Sequence, residues 1–177
     1  MESKKSIVTI EVLAVMLMMT ACHPNSPTPR PVVTKEYREA YLTRHGHCYD
    51  SIEASVLSLD LYSEGLTLDS VHRMQGTGYN LYVSDIFVED SLLTAGTYTA
   101  DSVAQRFTFL PGRDFEGMPT GAYLLYVNDG KLESIQLIDS GYFVVRDTLD
   151  GIVDISLHLY YGSTTYDAHY QGPLMLN

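Results

Sequence analysis

The 177-residue chain has no tryptophan, two cysteines, and 11 Lys and Arg against 22 Asp and Glu. Each shortage excludes something. Two cysteines are too few for a disulfide framework. A formal net charge of −11, with the acids scattered singly, repels phosphate backbones, so no nucleic-acid partner is expected. The uninterrupted apolar stretch of the N-terminal region runs only from Val12 to Met19, well short of the roughly 20 residues a membrane-spanning helix needs. C-x-x-C, H-E-x-x-H, a G-x-S-x-G elbow, a phosphate-binding loop and a dinucleotide fingerprint are all missing, and no cofactor is expected. Helical periodicity is nearly absent too, which removes most helical folds.

What is present points to pleated sheets. The chain is 45% hydrophobic with 14 tyrosines and many Thr, Val, Ile and Leu residues, the types that fill half-buried strands. Val56 to Leu61 alternates, with Leu57, Leu59 and Leu61 on one face and Ser58 and Asp60 on the other. Comparable runs are Tyr79 to Phe87, Thr97 to Ala100, Arg106 to Leu110, Ala122 to Val127, Leu132 to Ile138, Gly141 to Arg146, Ile152 to Tyr161 and Thr165 to Leu174. The expected fold is all-β, an antiparallel sandwich or flattened barrel of about 8 to 10 strands. Only Thr34 to Leu42 is ambiguous, because Val33, Tyr37, Ala40 and Tyr41 fall near helical spacing; a short helix and a first strand are both open.

Turn chemistry locates three hairpins: Asn128-Asp129-Gly130, Asp150-Gly151 and Gly162-Ser163. The last can be taken to register. Burying Ile155, Leu157 and Leu159 against Tyr166, Ala168 and Tyr170 leaves Asp154, Ser156, His158, Asp167, His169 and Gln171 outside. A two-residue turn at Gly162-Ser163 then places His158 opposite Asp167, and a slip of two residues places it opposite His169.

The N-terminus reads as an address. Lys4 and Lys5 precede an apolar run that ends in small residues at Thr20-Ala21, the grammar of a signal peptide. Met19-Thr20-Ala21-Cys22 resembles the lipobox of bacterial lipoproteins. That resemblance implies cleavage between Ala21 and Cys22 and lipidation of Cys22, hence a membrane partner reached through the anchor. Pro24, Pro27, Pro29 and Pro31 follow and keep the backbone extended, as a spacer would. The expected organisation is a signal peptide over 1–21, a lipidated cysteine and linker over 22–36, and one β-domain over 37–177. Cys48 is then left as a single thiol, expected to be buried and inert.

Four motifs carry a wider likeness: Ala95-Gly96-Thr97-Tyr98-Thr99, Phe109-Leu110-Pro111-Gly112, Ser140-Gly141-Tyr142-Phe143-Val144-Val145 and Tyr170-Gln171-Gly172-Pro173-Leu174. Their order and spacing resemble a group of Bacteroidetes lipoproteins in which a lipobox and short linker precede one β-sandwich ending in a Tyr-x-Gly-Pro-Leu-like strand. The resemblance implies a lipid-anchored protein of the cell envelope, at the outer membrane, and carries over no catalytic residues. Surface-exported members often bear acids soon after the cysteine. His23 to Pro27 has none, so the outer and the periplasmic face both stay open.

Several constellations could bear chemistry. His45-Gly46-His47-Cys48 is rich in ligand types, with His45 and His47 on one strand face and His158 or His169 as further donors; zinc or copper would need three or four converging. Without a recognisable spacing they read instead as surface or hydrogen-bonded histidines. Asp85, Glu89, Asp90, Asp114, Glu116 and the Asp147 to Asp154 turn supply carboxylates that a glycosidase would need in pairs, and the Asp147/Asp150 loop has oxygen ligands suited to calcium without a full loop motif. Tyr62, Tyr82, Tyr126 and Tyr160 could stack on sugar rings or form an interface, against the plainer reading of cross-strand packing. The functions in view are a binding or structural module taking a glycan or an envelope protein, a glycan-directed or envelope hydrolase, and an accessory subunit of a surface assembly.

Overall fold

The computed structural model describes residues 30–49, 53–89, 92–147 and 151–177. The signal peptide, Ala21, Cys22 and the linker prolines up to Pro29 lie outside the described residues, as do Asp90 and Asp150 of the carboxylate candidates. The strands are β1 (Val32–Gly46), β2 (Ser55–Ser63), β3 (Leu66–Leu68), β4 (Met74–Gly76), β5 (Gly78–Val88), β6 (Gly96–Ala100), β7 (Thr108–Phe109) and β8 (Arg113–Phe115). They continue with β9 (Met118–Thr120), β10 (Ala122–Asn128), β11 (Lys131–Leu137), β12 (Ser140–Asp147), β13 (Ile152–Tyr161), β14 (Thr164–Pro173) and β15 (Met175–Leu176). No α-helix occurs among the described residues. β1 begins at Val32, so Val32 to Glu36, at the end of the segment read as linker, are strand.

Eight strands close a barrel in the order β5-β2-β1-β14-β13-β12-β6-β7, with β7 pairing back onto β5. Six of the eight seams are antiparallel; β1 with β14 and β6 with β7 run parallel. An antiparallel sheet was expected throughout, and the exceptions have a simple cause: no hairpin joins the strands of either parallel pair, so no tight turn dictates their direction.

Thr34 to Leu42 belongs to β1. Its near-helical spacing comes from a bulge: Tyr37 pairs with Ser63 and Glu39 with Tyr62, so Arg38 is an extra residue. The buried positions therefore run Tyr37, Ala40, Leu42, a three-then-two step that mimics a helix. A second bulge lies in β5, where Leu57 faces Ile86 and Leu59 faces Val83. Asp85 adopts φ +51° there, which a short polar side chain tolerates. At this kink the outer edge of β5 changes partner, from β10 along Gly78–Val83 to β7 at Ile86–Phe87. The β10–β11 hairpin thus leaves the barrel wall as a wing, and β11 pairs only with β10 among the described residues.

The turns follow the chemistry of their residues. Asp129 and Gly130 take φ +49° and +72° between the paired Asn128 and Lys131, the two-residue geometry that matches strand twist. Gly162-Ser163 joins the paired Tyr161 and Thr164, and His158 faces Asp167. The alternating residues named for that hairpin fill the barrel: Ile155, Leu159, Tyr166 and Tyr170 are buried.

Aromatics complete the core. Tyr98 stacks on Phe143 with ring centroids 4.8 Å apart, and Phe109 packs on Phe143 at 5.4 Å. A smaller cluster lies outside the wall, where β3 and β4 fold over the sheet and Tyr62, Leu66 and Val127 meet. Tyr62 is therefore only 8% exposed, in line with the packing reading and not with an open stacking face. Cys48, expected to be buried, is exposed, because β1 ends at Gly46 and the thiol lies in the following loop, donating to the His45 carbonyl at 2.9 Å.

Candidate functional site

The wing creates the site. Along β5 the inward positions Tyr79, Leu81 and Val83 pair with Tyr126, Leu124 and Ala122 of β10. Ser134 and Gln136 of β11 stand opposite Tyr126 and Leu124, so strand alternation brings all these side chains to one face. β7 closes the barrel farther along β5, and beside this face the end of β13 contributes Tyr161. There a pocket of about 170 Å³ opens, lined by Tyr79, Leu124, Tyr126, Ser134, Gln136 and Tyr161. It is comparable to the roughly 150 Å³ cavity that accepts a benzene-sized guest, which is room for one six-membered ring. Barrel mouths are a common place for such sites.

Its walls are held in place. The Tyr79 and Tyr126 rings pack with centroids 5.0 Å apart and planes at 39°. The Tyr79 backbone N–H donates to Ser63 Oγ at 2.7 Å. Tyr161 leans on Tyr166, whose hydroxyl lies 2.6 Å from that of Tyr37. Burial first, and Tyr166 next, push the Tyr37 phenol well above its ordinary value; burial also raises Tyr166. Both therefore stay neutral, and the wall behind the pocket is uncharged. The exception is Lys35, half-buried on the same strand face as Val33 and Tyr37, with its ammonium 4.2 Å from the Tyr79 ring centroid. None of the described residues lining the pocket is acidic, and no ion pair of Lys35 occurs among the described residues.

Chemically, the pocket offers aromatic faces, a hydroxyl, an amide and a nearby cation. Nothing in its lining is a general acid or base in the ordinary carboxylate or imidazole sense. Of these residues, sequence reading had singled out Tyr126 alone. Lys35 was hidden because the helix-like spacing of β1 concealed which way its side chains point.

The histidines are placed elsewhere and apart. His45 Nε2 lies 3.1 Å from Ser58 Oγ, and His47, beyond the end of β1, sets Nδ1 3.2 Å from the Ala54 carbonyl. His158 sits between Asp167, 2.5 Å from Nδ1, and the Tyr160 hydroxyl, 2.7 Å from Nε2. His169 lies 3.1 Å from Glu36 and 3.6 Å from Asp154. Among the described residues no three His, Cys, Asp or Glu side chains converge as a metal site would require. The His158 chain of phenol, imidazole and carboxylate orders the outer face of β13 and β14.

The carboxylates are likewise dispersed. Asp85 accepts from Tyr49 at 2.8 Å, Glu89 pairs with Arg106, and Asp114 accepts the Gly117 N–H. Asp147 ends β12, and the rest of the loop considered for calcium is outside the described residues. Asp60 stands out. It is half-buried on the outer face of β2, and burial pushes its carboxyl up to about 6 against hydrogen bonds from Asn80 and Tyr62. Tyr82 and Tyr123 pack beside one another at 5.1 Å on this face, with burial pushing Tyr123 up to about 12. Tyr82 thus spends its ring on cross-strand packing.

No protein-family model, curated protein sequence or solved structure matches the chain.

Proposed function

We propose that the chain is a lipid-anchored envelope protein whose barrel is a binding module, with the pocket at the β10–β11 wing taking a sugar ring. The observation that carries the binding reading is the pocket itself: three tyrosine rings with Ser134 and Gln136 around space for one ring. Sugars present apolar ring faces and a rim of hydroxyls, so aromatic walls with a few neutral hydrogen-bonding groups are their natural complement. The lack of an acid in the described lining favours binding over hydrolysis, which uses two carboxylates across the bond. The anchor rests on the order of Lys4-Lys5, the apolar run and Cys22, with the proline-rich stretch as its spacer.

Two experiments test the two halves. Palmitate labelling in a bacterial host should mark the wild-type chain and spare Cys22→Ala; equal labelling, or none in either, overturns the anchor. Titration of the full chain with a panel of neutral and acidic oligosaccharides should find a ligand whose binding weakens at least about tenfold in Tyr126→Ala, the scale of one lost stacking wall. Failure of every panel member overturns the saccharide reading.

A further inference from the structure

We infer that the sugar this pocket takes is anionic, a terminal residue bearing a carboxylate or sulfate, and that Lys35 is its counter-ion. The inference rests on the saccharide reading above and adds the ligand's charge. β1 sends Val33, Lys35 and Tyr37 to the same face, and the paired β14 positions, Tyr166, Ala168 and Tyr170, are buried core residues. A lysine at such a position gives up part of its hydration. The usual compensation, a carboxylate, is not supplied: Lys35 has no ion pair among the described residues.

What Lys35 has is the face of Tyr79 at 4.2 Å. A cation over a phenol ring is stabilised, but by less than an ion pair at a part-buried site. Tyr79 is also a wall of the pocket, so the ammonium lies one ring away from the space a ligand would fill. The flexible four-carbon stem lets it swing from ring to ligand, and it pairs as a point charge with carboxylate or sulfate alike. With a net charge of −11, the protein repels anions at long range, so a pocket meant for neutral sugars gains nothing from a lysine packed on one of its walls. One meant for an anion requires a local cation.

The test uses the full-length chain in detergent and oligosaccharides of uronic acids, each paired with its methyl ester, which keeps the shape and removes the charge. The wild type should bind the acid roughly five- to tenfold tighter than the ester at low salt, the value of one part-buried ion pair. Lys35→Gln should bring the two affinities together, Lys35→Arg should keep them apart, and Tyr126→Ala should weaken both. Should Lys35→Gln fold poorly by its melting profile, Lys35→Met, which keeps the stem, replaces it. Equal binding of acid and ester by the wild type overturns the charge assignment and leaves the saccharide reading standing. An acid preference that survives loss of the ammonium overturns the role of Lys35. No binding of either form by any member overturns both readings.

Discussion

Replacing Asp60 by asparagine should stabilise the protein at neutral pH and leave it unchanged in acid. Asp60 is half-buried on the outer face of β2, opposite Tyr41 of β1 and Tyr82 of β5. Burial raises its carboxyl from an ordinary 3.8 to about 6. Between about pH 4 and 6 the folded protein therefore keeps a proton that the unfolded chain has released. Stability falls as pH rises through that window, and above it the ionised carboxylate is a constant burden. A displacement of about two pK units corresponds to about 3 kcal/mol. Residual contact with water reduces the expected effect to about 2 kcal/mol. Asparagine keeps the oxygen that accepts from Asn80 Nδ2 at 3.3 Å and carries no charge. Thermal unfolding followed by circular dichroism at pH 7.5 should show Asp60→Asn melting about 4 to 8 °C higher, the scale for a domain of this size. At pH 3.5, where both side chains are neutral, the two proteins should melt together. The difference between the curves isolates Asp60, since every other group titrates in both. A variant that melts lower at pH 7.5, or a gap independent of pH, refutes the reasoning.

Three further outcomes follow from packing and exposure. Gly141 has φ +126° and no room for a Cβ, which would sit 2.3 Å from the His158 carbonyl oxygen; Gly141→Ala should cost on the order of 3 kcal/mol in urea unfolding, and a loss below about 1 kcal/mol contradicts the strain. Tyr166→Phe strips the buried Tyr37 hydroxyl of its 2.6 Å partner and should cost about 1 to 3 kcal/mol, while Tyr37→Phe/Tyr166→Phe should cost less than the sum of the single changes; strict additivity contradicts the pairing. In a Cys22→Ala background the exposed Cys48 thiol should react with a disulfide reagent in the folded protein within about tenfold of the rate for a free thiol, and protection until unfolding would contradict its exposure.

Much of the fold is legible in the sequence. Alternation identified the long strands because a half-buried strand must send every second side chain to the core. The Asp129-Gly130 and Gly162-Ser163 turns were readable because few residues satisfy two-residue hairpins, and with the turn placed, the pairing of His158 with Asp167 followed. What misled was bulging. One extra residue at Arg38 gave β1 a helical look, and the parity of Lys35 was lost with it. What packs on Tyr62 was not legible for another reason: the β3–β4 hairpin folds back over the outer face directly after β2, and strand alternation says nothing about what lies over an outer face.

The candidate site divides along the same line. Composition and periodicity alone determined that the chain is all-β, acidic and rich in tyrosine, because those are properties of each segment and its immediate neighbours. The pocket was decided only by tertiary structure. It exists because β5 changes partners at the Asp85 kink, which frees the β10–β11 wing to face the end of β13 and brings Tyr79, Tyr126 and Tyr161 to one space. Such a meeting depends on how strands distant in sequence share an edge, and no local pattern records it. Lys35 became a candidate ligand-binding residue only when the closed barrel showed which face of β1 turns inward.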